Sequence, residues 1–299
     1  MLVSLRNYSN YSICESNIKI DDLVNFASKN NLSAIGLTDY KLLSGSLEFS
    51  IKCHKAGIQP IIGLDVDYLS TLDHSKRVTF ISKSKEGFKN LNILSTEVNT
   101  NNNFLLNENN IKDYAIGNIL ILGGLYSYFE DISINKKNLN KTLGEIKNLK
   151  EIFKNDLFFE YDPNLNNILL KEVSKKLEIP LFSSFFSFYK SANDFDAMQI
   201  LHCVKNGEYL QNSTFKINNN YSLDKSVDSS ENSLVLNSQL IAKKINFLIK
   251  EKPISLPNFS KGLASDEDTE IIKQSRSGLD LRLKKLFKDF SIEDFNKKS

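Results

Sequence analysis

The chain has 299 residues, 41% of them hydrophobic and 25% charged, enough apolar material for one large α/β domain or two smaller ones. Lys plus Arg total 38 against 36 Asp plus Glu, a formal charge of +2, so the basic excess of a dedicated nucleic-acid-binding module is missing. Three scattered cysteines, Cys14, Cys53 and Cys203, without C-x-x-C spacing, exclude a disulfide framework and read as small core residues with reduced thiols. Paired lysines at Lys136-Lys137, Lys243-Lys244 and Lys284-Lys285 stand among acidic residues and read as solvated helix faces. No apolar run approaches membrane-spanning length and no secretory leader is read at the start, so the expectation is a soluble, cytoplasmic protein.

The first third alternates. "LVSLRNY" is strand-like, and "IDDLVNFASKNN" is helical, with Asp21 a candidate N-cap and Leu23, Val24, Phe26 and Ala27 forming its apolar face. "SAIGLTD" is a short apolar strand ending in polar residues. "SGSLEFSIKCHKAG" is helical with Gly57 as its stop. "IQPIIGLDV" and "RVTFISK" are further strands, followed by the helix-like "EGFKNLNILSTEV". Later, "NILILGG", "DLFFEYD" and "IPLFSSF" read as buried strands, with helices over about 140–153, 167–178 and 193–206.

Short apolar strands alternating with amphipathic helices predict an α/β domain of mainly parallel strands covered by helices. At least seven strand candidates favour a closed or nearly closed barrel over about 1–210. Polar residues such as Thr38-Asp39 then lie at the carboxyl ends of strands, where barrel enzymes keep their sites. Beyond that, 211–299 reads as a polar, Asn/Ser-rich excursion and a helical appendage, with helices near 234–248 and from about Asp266, the latter weakened by Gly278. No internal repeat is read.

Several stretches together resemble the N-terminal PHP (polymerase and histidinol phosphatase) region of bacterial DNA polymerase III alpha subunits. They are "VSLRNYSNYSI", "IGLTDYKLLSG", "KCHKAGIQPIIGLDV", "EGFKNL", "SANDFDAMQILHCVKNG" and "LPNF" followed by "GLDLRLKKLF", and they cover essentially the whole chain. The resemblance implies a PHP-type (β/α) barrel whose metal-binding members hold ions through His, Asp, Glu and Cys, lowering the pKa of bound water and neutralising phosphate charge. At the family's ligand positions this chain has Arg6 and Tyr8 in the first strand, Asp39 and Tyr40 in the T-D-H turn, and Asp65 after the third strand. Arg77 falls before the next helix, Leu125 near the usual Cys, and Phe186 and Phe188 in the late N-D-x-H. Only Asp39 and Asp65 remain able to bind a metal, and two carboxylates without imidazole make a poor site. His54, His74 and His202 fall outside every motif position and read as ordinary histidines.

The resemblance therefore implies a degenerate site with no catalytic residue, no metal and no cofactor. It places polymerisation in a palm domain beyond "LRLKKLF", so these residues alone are not expected to polymerise. The acidic run Asp266–Glu270 reads as complement to a helix dipole, and Asp194 and Asp196 as capping residues. The implied role is a non-catalytic module that scaffolds the polymerase and docks its proofreading exonuclease subunit. Its partners would be that subunit and the rest of the alpha subunit, with DNA contacted only indirectly and no membrane. A residual metal-dependent phosphoesterase is the alternative, and a nucleic-acid adaptor a third reading that the balanced charge disfavours. In the emptied site, Arg6 or Arg77 is expected within ion-pair distance of Asp39 or Asp65, with Tyr8, Tyr40, Leu125, Phe186 and Phe188 filling the space. Leu279, Leu281, Leu283 and Phe287 of the last helix are expected to lack a partner.

Overall fold

The computed structural model describes residues 3–71, 75–126, 139–183, 186–213, 215, 219–225, 232–251, 253–254 and 266–287. His74, Lys136 and Lys137 lie outside them. The strands are β1 (Ala34–Leu37), β2 (Gln59–Leu69), β3 (Ser75–Ser82), β4 (Leu106–Asn107), β5 (Asn118–Gly123), β6 (Leu157–Tyr161) and β7 (Leu181–Ser183). Between them run α1 (Ile20–Lys29), α2 (Ser46–Lys55), α3 (Lys85–Thr100), α4 (Leu139–Phe153) and α5 (Ile168–Leu177), followed by α6 (Phe195–Asn206), α7 (Asn232–Lys243) and α8 (Glu267–Phe287).

The seven strands form one curled sheet ordered β1-β2-β3-β5-β6-β7, with β4 added to β2. The pairs β1–β2, β2–β4, β5–β6 and β6–β7 are parallel, whereas β3 runs antiparallel to both β2 and β5. The cause is the link between β2 and β3, which is too short for the crossover that a parallel pair requires.

"LVSLRNY" is not a regular strand. It makes isolated bridges, Ser4 to Ile35 and Asn7 to Ser187, and so joins the β1 edge to the chain that follows β7. Gly36 permits the approach, because a Cβ there would lie 2.0 Å from the Leu5 carbonyl oxygen. Gly36→Ala is therefore expected to destabilise by about 1–3 kcal/mol through backbone displacement. A denaturation midpoint equal to that of the parent chain would contradict it.

Val3, Leu5, Ala34, Ile61, Ile81, Ile119, Ile121, Phe158 and Phe182 fill the inside of the curl, and Ile241 and Ala242 of α7 join them. Outside, α3, α4 and α5 bury Leu91, Leu94, Leu143, Ile146, Leu149, Leu170 and Val173 against β2, β3, β5 and β6. The faces of α1 and α2 bury Leu23, Ala27, Phe49 and Cys53 against β1 and β2. The compact unit continues to Lys250, past the boundary expected near 210. The reason is α7: Ser238 Oγ accepts from Val3 N at 3.2 Å, and the Ala242 carbonyl accepts from Gln59 at 3.0 Å. The helix stops at Lys243, short of the expected 248, and Lys244 is not merely solvated, since it reaches Asp156 at 2.8 Å.

Three local expectations can be placed. The N-cap of α1 is Lys19, and Asp21 sits in the first turn, favourable to the helix dipole. Before α6, Asp194 does cap, in a reciprocal capping box with Ser191 and at the N-cap position of the helix, whereas Asp196 sits in the first turn. Cys53 and Cys203 are buried, but Cys14 is only half-buried, in a turn.

Residues 251–299 form a second unit. Its helix α8 opens with Asp266 accepting from Thr269 N at 2.6 Å and runs through Gly278 without a break. Leu279 and Leu281 are exposed as expected, whereas Leu283 is buried. The Phe287 side chain lies outside what is described. Among the described residues, no helix is long and apolar enough to cross a membrane.

Candidate functional site

At the carboxyl ends of the parallel strands the apolar interior gives way to a buried polar cluster. Arg6 lies at its centre. Its Nη1 donates to Glu160 Oε2 at 2.7 Å and its Nη2 to Asp65 Oδ2 at 3.3 Å. All three side chains are at most 2% exposed. Asp65 is held further by the hydroxyls of Tyr8 and, at 2.7 Å, of Thr79 on β3. Burial alone would lower the Arg6 pKa, but Asp65 and Glu160 outweigh it and hold the guanidinium above its usual pKa. Burial and the neighbouring Asp65 charge likewise keep Tyr8 protonated, its pKa well above that of a free phenol. Gly124, at φ +67, leaves room for the Glu160 carboxylate, since a Cβ there would lie 2.3 Å from Oε2.

The expected arginine–aspartate pair is thus made by Arg6 with Asp65, and Asp39 is held without an arginine. A cradle of neutral donors holds it: Ser9 N at 2.6 Å, Ser9 Oγ at 2.7 Å and Ser12 Oγ at 2.6 Å. Burial pushes its pKa up, and these bonds only partly offset that. Arg77 reaches Asp65 only through the Tyr8 hydroxyl that both bond. Its Nη2 donates to Glu15 Oε1 at 2.7 Å and its Nη1 to the Tyr8 hydroxyl at 3.1 Å. The Arg77 guanidinium stacks on Tyr40, whose own hydroxyl donates to Asp67 at 2.6 Å. Asp67 also pairs with Lys41 at 2.6 Å.

The expected apolar replacements do converge. Tyr8 meets Phe186 edge-on at 4.6 Å and Phe188 at 5.5 Å between ring centroids, and the two phenylalanines are 4.3 Å apart. Leu125 packs against this cluster. The Arg6 guanidinium lies 4.3 Å from the centroid of Phe186, a cation–π contact that fixes its plane. His54 is exposed on α2, and the ring of His202, on α6, lies 5.1 Å from that of Phe215 at a tilt of 52°.

Sequence reasoning missed Glu160, Glu15, Lys205, Ser9 and Ser12. Two of the signals were legible. "NYSNYS" is a tandem triplet whose serines both bind Asp39 and whose tyrosines, Tyr8 and Tyr11, both donate to carboxylates, Asp65 and Glu48. Glu160 is the one charge within the apolar strand "LFFEY". Glu15 and Lys205 carried no local signal.

The donor set does not fit a metal centre. Asp65 and Glu160 already share a guanidinium, and a divalent cation would have to displace that positive charge to reach both. Among the described residues, no group of three or more His, Cys, Asp or Glu is arranged to hold a metal ion. What remains is a charge-compensated structural cluster.

The fold is thus a curled, mostly parallel α/β sheet with a buried polar cluster toward the ends of its strands. A PHP domain family model matches residues 4–164, over half of the chain, and the chain belongs to that family. It is 28% identical over 309 aligned positions to DNA polymerase III subunit alpha of Buchnera aphidicola, covering 96% of this chain and 26% of that protein. It is 29% identical to the Rickettsia conorii protein of the same name and 25% identical to that of Haemophilus influenzae, each over 97% of this chain and 26% of the relative. The chain thus corresponds to the N-terminal PHP region of these proteins and spans about a quarter of their length.

Proposed function

We propose that this chain is a non-catalytic PHP module of a bacterial replicative DNA polymerase. In this reading it scaffolds the alpha subunit and docks the proofreading exonuclease subunit, and it meets DNA only indirectly. The observation that carries the reading is Arg6 seated between Asp65 and Glu160, where a hydrolytic member of the family needs metal and activated water. The relatives' shared name supports the polymerase context. Polymerisation itself would belong to parts of those relatives that this chain does not align with.

Two assays on the purified chain test the proposal. With added manganese or zinc, neither a phosphomonoester nor a 3′-labelled primer should be turned over. Mixed with the cognate proofreading exonuclease subunit, the chain should co-migrate with it in gel filtration. Metal-dependent turnover abolished by Asp39→Ala would replace the reading with a phosphoesterase, and failure to co-migrate would remove the docking role.

A further inference from the structure

The helix α8 carries an apolar stripe that its own unit leaves open. Ile272, Leu279 and Leu286 recur at intervals of seven residues, and all three are between 47% and 64% exposed. Seven residues make nearly two helical turns, with a drift of about 20° per repeat, so the three side chains share one narrow line. Leu283 falls on the same line but is already buried. Ile271 and Leu281 are exposed as well, on other sides of the helix. A helix that lies on a globular core presents a broader apolar face. A single line at this spacing is the seam of a two-helix coiled coil.

Charge says which helix fits. α8 begins with Glu267, Asp268 and Glu270 and ends with Lys284 and Lys285, with Arg282 just before them. A parallel copy would set acid beside acid and base beside base. An antiparallel copy sets each acidic turn toward a basic one, and two-fold symmetry makes every such contact twice. With Ile272 opposite Leu279 of the second copy, Asp268 falls beside its Arg282 on one flank of the seam. Lys273 falls beside its Asp280 on the other flank, and Asp280 already pairs with Lys284 within the chain at 3.0 Å. At 1.5 Å of rise per residue, these flanking positions are offset along the axis by no more than about 3 Å, within side-chain reach. Arg276 lies next to the two-fold axis, where a charge in the seam fixes the register at a cost in strength.

We propose that α8 is a self-association element that pairs antiparallel with α8 of a second copy of this chain. Its seam is Ile272 against Leu279, made twice, and the flanking charges set its direction. The pairing uses no residue of the buried Arg6 cluster, so it stands or falls separately from the function proposed above.

Sedimentation equilibrium of the full chain over a wide range of concentration tests the pairing. The mean mass should rise with concentration from 34.0 kDa towards twice that value. Leu279→Glu, at a half-exposed position, should weaken the dimer at least about tenfold, or about 1.4 kcal/mol. Asp268→Lys and Arg282→Glu should each weaken it several-fold at low salt, and the two together should restore it. A parallel pair would not respond in this way, because each charge would face its own copy. A chain that stays monomeric throughout, or a dimer indifferent to Leu279→Glu, overturns the proposal. If Leu279→Glu does not fold, the charge exchange decides: a double variant that associates no more tightly than either single one rejects the antiparallel pair.

Discussion

Arg6→Ala is expected to destabilise the domain by about 3–5 kcal/mol, because it strands Asp65 and Glu160 as buried carboxylates without their shared cation. For a unit of this size each kcal/mol moves the thermal midpoint by about 2–4 °C, so the fall should be on the order of 10 °C. An exposed control such as Lys89→Ala should stay within about 0.5 kcal/mol of the parent. Arg6→Lys should rescue poorly, since one ammonium cannot span both carboxylates as a planar fork does. The cause can be isolated by charge. In the Arg6→Ala background, Asp65→Asn with Glu160→Gln should recover most of the loss, because the cost lies in uncompensated charge and not in lost volume. If the triple variant melts no higher than Arg6→Ala, the cluster is held by packing and the electrostatic account fails.

Phe186→Ala should cost a comparable amount, about 3–5 kcal/mol, for a different reason. The ring is 2% exposed, packs edge-on against Tyr8, and carries the Arg6 guanidinium on its face. Its removal opens a cavity beside the ionic cluster and frees Arg6 to tilt away from Asp65. Phe186→Leu keeps most of the bulk and loses the π face, so it should cost clearly less than alanine but more than nothing. Urea midpoints, with unchanged slopes, measure both. Equal and small effects of the two substitutions would show that the ring merely covers the cluster.

Within the barrel, periodicity made the elements legible and separation in sequence hid their partners. α3, α4, α5 and α6 lie within a residue or two of where apolar spacing put them, since a helix announces its buried face locally. Strand pairing is less local. "RVTFISK" was readable as a strand, but its antiparallel sense followed from the short link before it, a constraint on chain geometry and not on composition. α7 was readable as a helix but not as part of the barrel, because its polar flanks resemble a linker and its role depends on Val3 and Gln59, far away in the chain.

The site divides in the same way. Set against the motif positions that the resemblance supplies, the sequence determined that arginines, tyrosines and phenylalanines stand where the family has imidazoles. Which charge meets which was decided only by the fold. Arg6 and Glu160 are 154 positions apart, and Lys205 and Glu15 are 190 apart. Asp39 took neutral serine donors because the turn after Arg6 delivers them directly, which left Arg77 free to reach Glu15. A sequence lists the charges that a buried site must neutralise. Only the folded sheet sets the distances, and Coulomb energy in a buried site depends on distance too steeply for composition to choose the pairs.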